Sequence, residues 1–221
     1  MLLDRFRSEA KGGSSILSSK SRTGEPAATT RVSNGLDQFF ASIHGQESLR
    51  LLDISGATQA NIGYITERGH RIYSDDLLRT LDQAFGTGPD ALANQSDPQR
   101  VEQFLSQTLD FPPAHFDGAL VWDTLQFLAP PLLQLTIERL RYILRSSAYL
   151  LAFFHADEKA EAVPVYSYRI VDAKTLSLAP RGLRKPAQFF NNRSLEKLFH
   201  EFHSVKFFLT RDHLREVIVR R

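Results

Sequence analysis

Val205 to Leu209 (VKFFL), Thr210 to His213 (TRDH) and Leu214 to Val219 (LREVIV) close the 221-residue chain. Two apolar runs of strand length, four residues apart, leave no room for a crossover, so they predict an antiparallel hairpin. The chain upstream reads differently. Leu49 to Ile54 (LRLLDI), His70 to Ser74 (HRIYS), Phe116 to Trp122 (FDGALVW) and Ala148 to Phe154 are short apolar runs, the pattern of strands buried in a parallel sheet. Helical segments stand between them. Strands alternating with helices predict a mostly parallel sheet with helices on both faces, a doubly wound α/β fold. The terminal hairpin adds an antiparallel strand to it.

Helix signals support that order. Ser33 or Asn34 is placed to cap a helix bearing Leu36, Phe39, Phe40 and Ile43. Gln59 to Arg68 ends at Gly69, Leu77 to Ala84 follows the second strand, and Pro130 to Arg145 is strongly amphipathic. Arg100 to Leu109 fits a helix or a strand, and its later half, Phe104 to Leu109, is read as a weak third strand before the Pro112-Pro113 break. Val163 to Leu178 alternates and predicts a hairpin turning near Asp172 to Lys174, and Asn191 or Asn192 can cap a helix reaching about Phe202. Lys11 to Arg31, rich in Ser, Thr, Gly, Ala and Lys, cannot bury enough surface to offset its ordering entropy. Residues 1–32 are therefore expected to be a flexible arm, with a short helix at Leu2 to Ala10, and residues 33–221 a single α/β domain.

Composition narrows the chemistry. The chain has no cysteine, which excludes disulfides, thiol nucleophiles and thiolate metal sites. No run approaches the length of a membrane span, and the first residues lack an apolar secretory core, so a cytoplasmic protein without membrane contact is expected. The net charge is +2, but Arg181 to Arg221 holds ten Lys/Arg against four Asp/Glu. A solvated surface accounts for that excess better than a nucleic-acid face, since no nucleic-acid-binding motif accompanies it.

In open α/β sheets, ligands bind beyond the carboxyl ends of the strands. Four acids fall at or just past predicted strand ends: Asp53, Asp75 or Asp76, Asp110 and Asp123. Asp53 is followed by the small residues Ser55, Gly56 and Ala57, and Asp75 lies 22 residues further on, the offset of a carboxylate that takes a ribose diol. Each acid has a plainer reading as a helix cap or turn residue.

The succession LRLLDISGATQAN, HRIYSDDLL, LDFPPAHFDGALVWDTLQFL and FFLTRDHLREVIV resembles the class I S-adenosylmethionine-dependent methyltransferases over most of the chain after Leu49. The resemblance implies a seven-stranded sheet whose last strand is antiparallel, S-adenosylmethionine as cofactor and methyl transfer to an unidentified acceptor. It maps the family's first acidic motif to Asp53 and Gly56, with Ser55 and Ala57 beside them. The ribose-binding acid maps to Asp75 or Asp76, the adenine contacts to Asp110 and Phe111, and the fourth motif to Asp117 through Asp123, with Trp122 and Asp123 near the sulfonium. One glycine stands where the family carries a glycine-rich loop. A methyltransferase-like binding or scaffold protein without activity is the alternative that this departure raises. No catalytic base is assigned. The Val163 to Leu178 hairpin and the polar loop from Gly86 to Asp97 are the expected substrate-facing additions.

His200 and His203 stand at i, i+3, which is not the i, i+4 spacing of a zinc-protease helix, and no metal site is expected.

Overall fold

A computed structural model describes residues 28–208, 210 and 213–221. The expected helix at Leu2 to Ala10 and most of the expected arm lie outside the described residues.

The main sheet has six strands: β2 (Arg50–Asp53), β3 (Arg71–Ser74), β4 (Phe116–Trp122), β5 (Leu144–His155), β8 (Ser204–Phe208) and β9 (Leu214–Arg220). Their spatial order is β3-β2-β4-β5-β9-β8. β3, β2, β4 and β5 run parallel, while β9 lies antiparallel to both β5 and β8. The terminal hairpin thus inserts its second strand between β5 and its own first strand. A second, three-stranded antiparallel sheet has the order β1-β7-β6, from β1 (Thr29–Val32), β6 (Val163–Asp172) and β7 (Thr175–Arg184).

Helices cover one face and a mixed layer covers the other. α3 (Leu77–Phe85), α5 (Pro98–Gln107), α6 (Pro130–Ile143) and α7 (Asn192–Leu198) pack on the first face through Leu81, Phe85, Phe104, Leu132, Leu140 and Leu195. α1 (Asn34–Ser42), α2 (Gln59–Thr66) and the small sheet pack on the second through Leu36, Phe39, Ile65, Tyr168 and Leu176. Gly118 in β4 allows α1 to come this close, because a Cβ there would sit 2.9 Å from the Phe39 ring.

Local chemistry sets the helix starts. Ser33 caps α1, its Oγ accepting from the Leu36 N–H at 3.1 Å. α6 opens on Pro130, whose missing N–H costs nothing in a first turn. Asn191 and Ser194 form a reciprocal capping box at α7.

Three expectations are corrected. The sheet has six strands among the described residues, not seven, because the segment read as a strand belongs to α5. Asp97 caps that helix by accepting from the Gln99 and Arg100 N–H groups, and Pro98 sits in its first turn. The helical spacing of Val101, Phe104 and Leu105 turns one edge inward. The last four residues of the expected arm, Thr29–Val32, form β1 and pair with β7 from Leu178 to Thr175. The polar loop from Gly86 to Asp97 contains one short helix, α4 (Ala91–Asn94).

Candidate functional site

The strand order reverses between β2 and β4, so the crevice between their carboxyl ends is the switch point where a ligand would lie. Asp53 ends β2 there and is fully buried. Its Oδ1 accepts from the Trp122 indole N–H at 2.8 Å, the Ser55 N–H at 3.1 Å and the Ser55 hydroxyl at 3.2 Å. Its Oδ2 accepts from the Asn61 amide at 2.9 Å. Burial pushes its carboxyl up from the usual range, and these donors oppose the shift. Asp53 is not a helix cap, because Thr58 caps α2.

Trp122 crosses the crevice. A register shift between Leu120 and Trp122 ends β4, and Trp122 takes a φ of 55°, unusual for a bulky residue. Its indole stacks on Tyr168 of β6, centroids 4.8 Å apart and planes 9° apart. Asn61 fastens the same strand, donating to the Tyr168 carbonyl and accepting from the Ile170 N–H. The β6–β7 hairpin therefore lies across the switch point, with Asn61 and the Trp122–Tyr168 stack among its fastenings.

The loop after β2 is drawn onto the link between β3 and α3. Gly56 donates its N–H to the Asp75 carbonyl at 2.9 Å, and Ser55 and Asp76 form an antiparallel bridge. Gly56 has a φ of 95°, and a Cβ there would meet the Asp76 carboxylate at 3.1 Å, so both backbone and neighbour require glycine. Asp76 caps α3 through Oδ1, while Oδ2 takes the Arg181 guanidinium of β7 at 3.1 Å. Arg181 also donates to the Ser55 carbonyl. Asp75 is half-buried, its carboxyl raised by burial and by the Asp76 charge against a backbone hydrogen bond from Asp76.

Asp123 follows Trp122 and is buried with Tyr168, His155 and Gln126. Its Oδ2 lies 4.0 Å from the His155 Nε2. Burial raises its carboxyl to about 7, against a pull from Tyr168. Burial, and then the facing Asp123 carboxylate, push the Tyr168 phenol well above its ordinary value.

Asp53, Ser55, Gly56, Ala57, Asp75, Asp76, Trp122 and Asp123 thus gather at one end of the sheet. Asp110 and Phe111 do not. They precede β4 and lie at its amino end, where Asp110 pairs with Arg139 near the end of α6 at 3.1 Å and Phe111 packs against Tyr73 and His115. Asn61, Tyr168 and Arg181 are the residues the sequence reading missed. Both Asp53 oxygens are engaged by internal donors, Trp122 packs on Tyr168 at the crevice, and the loop carrying Gly56 is hydrogen-bonded to the link between β3 and α3.

No helix among the described residues is long and apolar enough to cross a membrane, and no group of three or more potential metal ligands stands together among them.

No family model and no curated protein matches the chain. Among solved structures it is similar to the 1,6-didemethyltoxoflavin-N1-methyltransferase of Burkholderia thailandensis, which holds bound 1,6-didemethyltoxoflavin and S-adenosylhomocysteine (15% identity, 85% of this chain and 76% of that one, TM-score 0.47). It is also similar to a S-adenosylmethionine-dependent methyltransferase of Archaeoglobus fulgidus (11% identity, 84% and 91%, TM-score 0.49). A third is the S-adenosylmethionine-dependent methyltransferase of Mesorhizobium loti (12% identity, 83% and 96%, TM-score 0.45).

Proposed function

We propose that this chain transfers a methyl group from S-adenosylmethionine to an unidentified acceptor. One observation carries the reading: the sheet order β3-β2-β4-β5-β9-β8, with antiparallel β9 wedged between β5 and β8, is the arrangement the methyltransferase resemblance implies, less one edge strand. The cofactor would enter after the loop at Gly56 parts from the β3–α3 link. Asp75 is the acid best placed for a ribose diol, since Asp76 is committed to its helix and to Arg181.

A second reading, a binding protein of this fold without methyl transfer, is favoured by the Asp53 carboxylate, whose oxygens both serve internal partners. Calorimetric titration with S-adenosylhomocysteine separates the two. The wild type is expected to bind. Arg181→Ala is expected to bind severalfold more tightly, because it removes a half-exposed ion pair worth up to about 1 kcal/mol that holds the loop shut. Asp75→Ala is expected to bind at least about tenfold more weakly, the loss of a hydrogen bond to a charged group. No heat from either the wild type or Arg181→Ala, with both folded, would make the second reading the leading one.

A further inference from the structure

A cleft of about 770 Å³ opens between α3, the segment carrying α4, and β7. It joins the two additions expected to face a substrate, the polar loop from Gly86 to Asp97 and the β6–β7 hairpin. Its wall is fixed. Gln95, 1% exposed, accepts from the Ala129 N–H at 2.6 Å and donates to the Phe127 carbonyl at 3.3 Å, pinning α4 to the chain after β4.

The lining has two characters. Leu78, Phe127 and Val165 supply an apolar floor. Around it stand Arg79, Arg181, Arg184 and Lys185; Arg181 is paired with Asp76 and Arg184 with Asp82, which leaves two cations in excess. The Arg184 guanidinium lies 5.5 Å from the Phe127 ring centre and takes the Asp82 carboxylate at 2.7 Å. Arg184 gives Nη1 to Asp82 and has further N–H donors, and Lys185 next to it in the chain makes no ion pair among the described residues, so the complementary ligand is a flat or compact apolar body bearing a carboxylate.

We propose that this cleft binds an apolar organic carboxylate, with Arg184 and Lys185 taking the anion and Phe127 and Val165 the hydrocarbon part. The cleft borders the cofactor loop through Arg181, which lines it while touching Ser55 and Asp76. That the bound carboxylate is the methyl acceptor rests on the function proposed above; that it binds does not.

The test uses the full chain without any S-adenosyl compound, so a failed cofactor titration leaves it intact. The probe is 2-naphthoate, with the neutral 2-naphthamide as its match in shape, titrated by calorimetry. Naphthoate is expected to saturate and naphthamide to bind at least about tenfold more weakly. Arg184→Gln and Lys185→Gln are each expected to weaken naphthoate severalfold or more, with naphthamide unchanged. Arg193→Gln, outside the cleft, is the control for net charge. Lys185 is exposed, so its variant reports on binding even if Arg184→Gln fails to fold. Equal binding of acid and amide, equal loss in Arg193→Gln, or displacement of naphthoate by equimolar inorganic phosphate would overturn the proposal.

Discussion

Glu216→Ala is expected to cost about 3–5 kcal/mol of folding stability, the range for removing one partner of a buried ion pair. Glu216 lies in β9, fully buried, and accepts from the Gly35 N–H at 2.6 Å, the Ser33 hydroxyl at 3.0 Å and the Arg31 guanidinium at 2.5 Å. One carboxylate thus holds the end of β1, the cap of α1 and the first turn of that helix to the main sheet. Alanine would remove the one acceptor that these three donors share. Urea denaturation measures the loss, and a cost under about 1 kcal/mol would mean that desolvation of the carboxylate already cancels its hydrogen bonds. Glu216→Gln, which keeps an acceptor for Gly35 but turns an amide toward Arg31, is expected to fall between.

Asp123 gives the second large effect, as a pH dependence. An unfolded chain ionises this carboxyl near 3.8, whereas the folded protein keeps the proton to about 7. Below about pH 4 both states are protonated and the group is neutral to stability. Between the two values the unfolded chain releases a proton that the folded one retains, so rising pH favours unfolding, by up to about 1.4 kcal/mol per unit. Above 7 the loss is complete and constant. Asp123→Asn keeps the shape and removes the titration. It is therefore expected to be more stable than the wild type at pH 8, with a flatter profile between pH 5 and 8 in chemical denaturation. Unchanged slopes would mean that Asp123 ionises in the folded protein with His155 as its counter-ion.

The parts of the fold legible in the sequence were those fixed by chain length and local spacing. Four residues between two strands permit only a hairpin, and the acid-ended runs at Asp53 and Asp123 sit at strand ends as expected. The small sheet's main turn was legible for the same reason, at Asp172 to Lys174. Arg100 to Leu109 fitted a helix or a strand, and the Asp97 cap with Pro98 in the first turn decides for the helix; with the strand at Phe104 to Leu109 went the expected placement of Asp110 and Phe111. The site was legible as a set of positions but not as a set of contacts. Trp122 and Asp53 are 69 residues apart, and Asn61 and Ile170 are 109 apart. Nothing in local spacing announces such pairs. An asparagine inside a helix, where it is a poor former, was the one signal for Asn61. The basic excess after Arg181 likewise concealed internal work: Arg181 and Arg184 pair with Asp76 and Asp82, and Arg215 donates to the Phe190 carbonyl.

Trp122 is the chain's sole tryptophan, and it stands at the crevice with its N–H on Asp53 and its face on Tyr168. The protein's indole emission therefore arises from one place, the seam between the main sheet and the hairpin. Lifting the hairpin would remove the phenol stacked on that ring and admit water to it, moving its fluorescence toward the red while the rest of the chain stays dark at those wavelengths. The molecule carries its own optical gauge of whether the switch point is open.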